Sequence, residues 1–486
     1  VSVIRLLALL TLFAFVLQGY HPGAEDDGVY LSAIKKDLNP SLYPYNSEFF
    51  TLQMQATVFD KAVAGSTRIT HLPLTYVCLG WQLGCMFLLL AGCWRVVGFC
   101  YTSFRARLAG VLTICCLLTL SVAGTALYIS DEHLHPRLVA TAAVVLAIGY
   151  VQRENWVRAT ILLLVAFLFH PIMAVFGISF CLIFTLVQMR SRPQIAEPSE
   201  MLMLAAAAPG SWLFAPSTPA WRKALLQHSY YTLSRWEWYE WLGALAPPLL
   251  LWLLARFARA RRNTPLTQIA TALTIFSIVQ LAIAMLMLFP PSLQRLTPLQ
   301  PMRYLHITFL LMFLLAGATL GEYVLRASVW RWLLVFLPLA AVNGYAQRTR
   351  YPATRNLELP WLAPQNPWLQ AFAWVKTHTP EDAVFALDPH YLGLPGEDNH
   401  SFRALAERSS LVDDAKDAAV VTQVPRLAEV WVTQHQLQAG WSTWGRAEFH
   451  RLAQTTPARW VLVSPSQSAG LACPYSNTAV SVCRIE

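Results

Sequence analysis

Long apolar runs separated by short arginine-bearing loops constrain this chain more than any other feature. They occupy residues 3–20, 74–98, 108–129, 137–150, 157–170, 171–189, 201–214, 241–257, 265–289, 302–325 and 329–346, and then stop. About 20 apolar residues in a helix cross the ~30 Å hydrocarbon core of a bilayer. The eleven runs therefore predict a polytopic α-helical membrane protein, with 137–150 and 201–214 short for a full crossing. Only 13% of residues are charged, against about 25% in soluble domains. That excludes a wholly soluble enzyme, a disordered chain and a disulfide-dense secreted domain.

Charge divides the chain at the same place. Residues 1–346 hold 24 Lys+Arg and 14 Asp+Glu, whereas residues 347–486 hold 12 and 13. The excess of positive charge belongs to the apolar part and reports orientation, not nucleic-acid binding. With the N-terminus inside and 3–20 as an uncleaved first span, the inner loops collect Arg95, Arg105, Arg107, Arg153, Arg158, Arg256, Arg259 and Arg326. The expected location is the cytoplasmic (inner) membrane, with a soluble domain, 347–486, on the outer face. Cys473 and Cys483 are the only cysteines of that domain, in a hairpin-like stretch, and read as a disulfide made in an oxidising compartment. The other seven cysteines lie in or beside apolar runs and read as small core residues.

The first outer loop, 21–73, opens with HPGAEDDGVY and contains two amphipathic stretches, 29–38 and 48–64, expected to lie in the outer interface. Glu25, Asp26 and Asp27 directly follow the first span. Carboxylates so close to hydrocarbon must be solvated, paired or functional. Neighbouring Asp26 and Asp27 would raise each other's proton affinity, the tuning a general base needs. The plain alternative is a solvated loop capping the next helix.

Helices running from outside to inside are expected to start near Pro73, Pro136, Pro171, Pro247 and Pro301, presenting anion-binding N-termini to the outer side. Basic and imidazole groups cluster at these ends: His133, His135 and Arg137 in DEHLHPR, His170 in FHP, Arg303 and His306 in LQPMRYLH. Arg303 could hold a phosphate bidentately. Runs 157–170 and 171–189 meet at His170-Pro171 without a loop, as a broken element lining a polar cavity would.

On this architecture and these residues the chain resembles the GT-C superfamily, integral-membrane glycosyltransferases that use polyprenyl-phosphate-linked sugars. The resemblance implies a GT-C-like membrane domain with a small C-terminal α/β extracytoplasmic domain. It also implies a catalytic carboxylate at Asp26 or Asp27, with Glu25 third. Arg303 and Arg137 would meet the lipid phosphate, with His135, His170 and His306 beside them. No cofactor is required; a divalent cation is compatible with the acid cluster. The implied partners are the bilayer and a polyprenyl-phosphate-linked sugar, with no nucleic acid and no protein partner specified.

In the soluble part, 384–387 and 459–465 read as strands and 418–438 and 443–455 as helices, a small α/β layer. The charged stretch SFRALAERSSLVDDAK, with Arg403, Arg408, Asp413, Asp414 and Lys416, reads as solvated, or alternatively as touching a sugar or the membrane-domain opening. Two other functions fit the residues: a transporter or flippase-like protein built on broken helices, and a non-catalytic scaffold whose outer domain binds a partner.

Overall fold

The computed structural model describes residues 2–190 and 217–485, so the run 201–214 lies outside the described residues. The helices are α1 (Val3–Gln18), α2 (Asp27–Leu38), α3 (Glu48–Met54), α4 (Phe59–Thr70), α5 (Leu74–Cys100), α6 (Phe104–Leu117), α7 (Pro136–Val151), α8 (Trp156–Phe169), α9 (Pro171–Arg190) and α10 (Pro219–Leu225). They continue with α11 (Trp238–Ala260), α12 (Thr264–Leu288), α13 (Tyr304–Leu320), α14 (Val329–Arg350), α15 (Pro367–His378), α16 (Phe402–Ala406), α17 (Lys416–Gln423), α18 (Ala428–Leu437) and α19 (Arg446–Thr455).

Six helical stretches are long and apolar enough to cross a membrane: α5, α9, α11, α12, Ser292–Leu325 including α13, and α14. Three further apolar helices, α1, α7 and α8, are shorter. The expected count of eleven is thus not reached among the described residues. One reason is local. The run 108–129 leaves the helix after Leu117 and continues as a turn held by a bridge between Ser121 and Tyr128. Apolar content there serves packing, since Val122, Leu127 and Ile129 are buried in the helical core. The outer faces of the bundle are apolar too. On α14, Trp330, Leu334 and Leu337 are 76%, 74% and 66% exposed, a surface suited to lipid.

Side-chain oxygens start several of these helices. Ser2, Ser103, Asn155 and Asn263 accept N–H groups in the first turns of α1, α6, α8 and α12. Pro136 and Pro171 occupy first-turn positions and Pro73 precedes α5, as expected. Pro247 does not start a helix; it lies inside α11 beside Pro248, nine residues after Trp238.

The first loop departs from its expected form. The stretch 48–64 is interrupted between α3 and α4, giving three helices where two were expected. In α2 every residue from Asp27 to Ile34 is buried, because α2 is enclosed by α3, α4 and α16. One apolar core joins this loop to the C-terminal part, through Tyr30, Phe50 and Phe59 on one side and Val421 and Trp431 on the other.

The C-terminal part contains a five-stranded sheet of β1 (Val384–Ala386), β2 (Ser409–Ser410), β3 (Trp460–Val463), β4 (Ala472–Ser476) and β5 (Ser481–Arg484), in the order β2-β1-β3-β5-β4. β1 pairs in parallel with β2 and β3; β3–β5 and β5–β4 are antiparallel. Cys473 and Cys483 form a disulfide between β4 and β5. The expected helix 418–438 is two helices, α17 and α18. Pro425 sits at their junction, where its missing N–H cannot continue an α-helical ladder.

Candidate functional site

Four segments converge on one place: the turn after α1, the turn before α7, the 3-10 turn before α13, and the start of α17. Between them lie two adjoining cavities of about 250 and 230 Å³. Asp26, Arg137, Tyr230, Arg303 and Lys416 line both. The first lobe is otherwise largely apolar, with Val29, Met54, Phe169, Pro171 and Ile172 in its wall. The second is polar, with Glu25, Asp131, Glu132, His133 and Arg350. A shared wall of charge thus divides an apolar lobe from a polar one.

The acidic turn is held by cations. Lys416 Nζ donates to Glu25 Oε2 at 2.8 Å and to Asp26 Oδ1 at 3.0 Å. Arg350, at the end of α14, donates to Glu25 Oε1 at 2.8 Å and to Glu132 Oε1 at 2.9 Å. Burial pushes the Glu25 carboxyl up, but Lys416 and Arg350 override it and hold it down at about 2. Burial acts the same way on Asp26, and Lys416, His135 and Arg137 keep it well below the usual carboxylate range. Lys416 is shifted upward in turn, its burial outweighed by Asp26 and Glu25.

Asp27 behaves differently from Asp26. Its Oδ2 accepts the Gly23 N–H at 2.8 Å, which closes the turn on itself. Burial raises its proton affinity beyond what that hydrogen bond and His133 take away. It lines neither lobe. The expected mutual effect of the two aspartates is therefore split: Asp27 goes up, while Asp26 goes down because cations face it.

His135 N-caps α7 and joins this network. Its Nδ1 accepts the Arg137 backbone N–H at 2.9 Å, which places the ring proton on Nε2. That nitrogen lies 3.3 Å from Asp26 Oδ2. Burial and Arg137 push His135 down to about 4 despite Asp131 and Asp26, so the ring is neutral at pH 7. Arg137 is committed elsewhere: its Nε and NH2 donate to both oxygens of Asp131 at 3.1 and 2.7 Å, and Asp26 is 3.9 Å away.

Arg303 is the exception. Its Nε is sealed from solvent without an acceptor. Among the described residues no carboxylate pairs with its guanidinium. His170 lines the apolar lobe at the α8–α9 junction, where the two helices meet without a loop. His306 lines neither lobe and bonds the Ile129 carbonyl at 3.1 Å, a packing role.

The charged stretch of the soluble part is mostly buried rather than solvated. Arg403 makes two 2.6 Å bonds to Asp417, and Arg408 donates to the carbonyls of Lys376 and Thr379. Of its charged residues, Lys416 alone lines the cavity, with Ala415 beside it. The sequence does not single out Arg350, Asp131, Glu132 or Tyr230, and it offers Lys416 only within a charged stretch read as solvated or, alternatively, as touching a sugar or the membrane-domain opening; Lys416 lines both lobes. The two acids stood in plain view in DEHLHPR beside the selected His135 and Arg137. Lys416 lies 390 positions from Asp26, so their pairing carries no local signal.

A divalent cation in the acidic turn would have to displace Lys416 and Arg350, so the turn as built does not fit one. Among the described residues, the group of three side chains whose ligand atoms lie close enough to share an ion is His21, Glu358 and His400.

Glu25 titrates at about 2 in the folded chain against an ordinary 4.5. Stability from this pairing is complete above the unfolded value and is lost as pH falls from about 5 to about 2. Thermal unfolding at graded pH is expected to show a falling midpoint in that window, with a shallower fall in Glu25→Gln.

A family model described as a domain of unknown function (DUF6798) matches residues 366–426, from α15 through Lys416. No curated protein matches the chain. Among solved structures, the chain is similar to the Archaeoglobus fulgidus oligosaccharyltransferase in its apo form, at 10% identity and a TM-score of 0.47, covering 95% of this chain and 69% of that one. It is also similar to the same enzyme in complex with zinc and sulfate, at 12% identity and a TM-score of 0.45, covering 95% and 67%.

Proposed function

We propose that this chain is a membrane glycosyltransferase of GT-C type, moving a sugar from a polyprenyl-phosphate donor to an acceptor hydroxyl on the outer face of the cytoplasmic membrane. The observation that carries the reading is Arg303, whose guanidinium has no carboxylate partner among the described residues and lies on the wall between an apolar and a polar lobe. A partly buried guanidinium with no carboxylate beside it is costly to desolvate further and suits a site where a ligand supplies the opposite charge. A phosphate joined to a hydrocarbon chain fits both the charge and the apolar lobe beside it. The sugar then falls toward Asp26 and the polar lobe.

In this reading Asp26 is the base. Ionised and facing both lobes, it takes the proton of the acceptor hydroxyl, whose oxygen bonds to the anomeric carbon with inversion. The bond from that carbon to the phosphate oxygen breaks, and polyprenyl phosphate leaves with the electron pair. Arg303 and Lys416 meet the growing negative charge. The low basicity of Asp26 suits a proton transfer late in the step, once the attacking oxygen is already bonding. Lys416 orients the carboxylate, with His135 Nε2 beside it at 3.3 Å. Arg137 holds Asp131 and thereby the turn that carries His135. Glu25 positions Lys416, and Asp27 closes the acidic turn.

The test is donor class. The purified full-length chain is expected to bind a polyprenyl-phosphate sugar at least about 100-fold more tightly than the corresponding sugar nucleotide or free sugar. Equal affinity for all three removes the reading and favours the scaffold.

A further inference from the structure

We infer that His21, Glu358 and His400 form a binding site for a zinc-class divalent ion that fastens the acidic turn to the soluble domain. The three come from distant segments: the turn after α1, the linker after α14, and the loop before α16. Both histidine side chains are fully buried and Glu358 is 15% exposed. Glu358 Oε2 lies 3.2 Å from His21 Nδ1 and 2.9 Å from His400 Nε2, and all three ligand atoms fall within 4.8 Å of one another. A tetrahedral ion with bonds of about 2.0–2.1 Å spaces its donors by roughly 3.3 Å. Two imidazoles and a carboxylate are the donor set of zinc and its transition-metal neighbours rather than of magnesium or calcium.

The surroundings orient both rings. His400 Nδ1 faces the Glu397 carbonyl at 3.3 Å, the outer contact that fixes a metal-ligating imidazole. His21 stacks on Tyr351 with ring centres 3.7 Å apart. The chain on either side is already laced together: Glu358 N–H donates to Tyr20 O, Glu25 N–H to Asn399 O and Ser401 N–H to Gly23 O. An ion here would lock three segments four residues from Glu25, setting the turn that presents Asp26. The site shares no residue with the acid–cation network of the cavity.

The probe is zinc chloride titrated into the full-length chain after chelator treatment, with metal content measured alongside. One ion per chain is expected. Glu358→Gln, which retains hydrogen bonding to both rings, and His400→Ala are each expected to weaken binding at least about 100-fold. Asp26→Asn is expected to leave zinc binding unchanged. Zinc should raise the melting temperature of the wild type and not that of Glu358→Gln, while the metal-free proteins melt alike. Absence of stoichiometric zinc in the wild type would reduce the three residues to a hydrogen-bonded bridge and overturn the inference. So would undiminished binding by the Glu358→Gln/His400→Ala double variant, or loss of binding in Asp26→Asn.

Discussion

Arg303→Ala is expected to weaken binding of a polyprenyl phosphate by about 30- to 1,000-fold while leaving the melting temperature unchanged or slightly higher. The range follows from about 2–4 kcal/mol for truncating one side of a charged contact with a ligand. The stability result is the more discriminating half. A residue placed for folding loses stability when truncated; Arg303 has no carboxylate partner among the described residues, so alanine removes an uncompensated charge. Arg137→Ala is the contrasting variant. It breaks the two-bonded pair with Asp131 and strands a buried carboxylate, at a cost of about 3–5 kcal/mol. Ligand binding by scintillation or calorimetry and melting by nanoscale fluorimetry, run on both variants, separate the two roles. An Arg303→Ala chain that unfolds as Arg137→Ala does would make Arg303 structural.

Asp26→Asn is expected to lower sugar transfer by about 10²- to 10⁴-fold, the usual worth of a positioned general base, with donor affinity kept within a few-fold. Asparagine preserves the shape and can still contact Lys416, which keeps Glu25 as its ion partner at 2.8 Å. Asp27→Asn should act differently. Its carboxylate serves the Gly23 N–H and lines neither lobe, so the variant should lose stability with turnover per folded molecule largely intact. Transfer rates normalised to folded protein check this. Equal losses for the two would assign the base to the pair rather than to Asp26.

Much of the helical pattern could be read from hydrophobicity, because a run such as 265–289 has no other way to hide its backbone. α12 (Thr264–Leu288) follows it closely. The reading failed where apolar residues served packing instead of spanning. Val122 and Leu127 sit in a turn, and Tyr30 and Ile34 of α2 are buried against neighbouring helices. Local punctuation was legible: Pro136 and Pro171 begin helices. Pro425 carried the same kind of signal, and a run of helical spacing hid it.

At the site, Asp26, Arg137 and Arg303 were selected separately, and the fold brings them onto the same cavity wall. What the sequence withheld is pairing. Nothing in the spacing of DEHLHPR or LQPMRYLH distinguishes a bound arginine from a free one, and charge alone makes Arg137 and Arg303 equivalent. Only the fold shows that Asp131 neutralises the first and that no carboxylate among the described residues neutralises the second. Lys416 is the same lesson from the other direction: in a stretch that reads either as solvated or as touching the membrane-domain opening, it is the cation that pairs with Asp26 and lowers its proton affinity.

The most direct test of the central claim is single-turnover release of polyprenyl phosphate from a bound polyprenyl-phosphate sugar, followed in the reconstituted full-length chain with a mixture of outer-face acceptors. The account predicts stoichiometric release with an inverted glycosidic product in the wild type. It predicts loss of release in Asp26→Asn while the donor stays bound. Undiminished release by Asp26→Asn, or a wild type that binds no such donor, would contradict it.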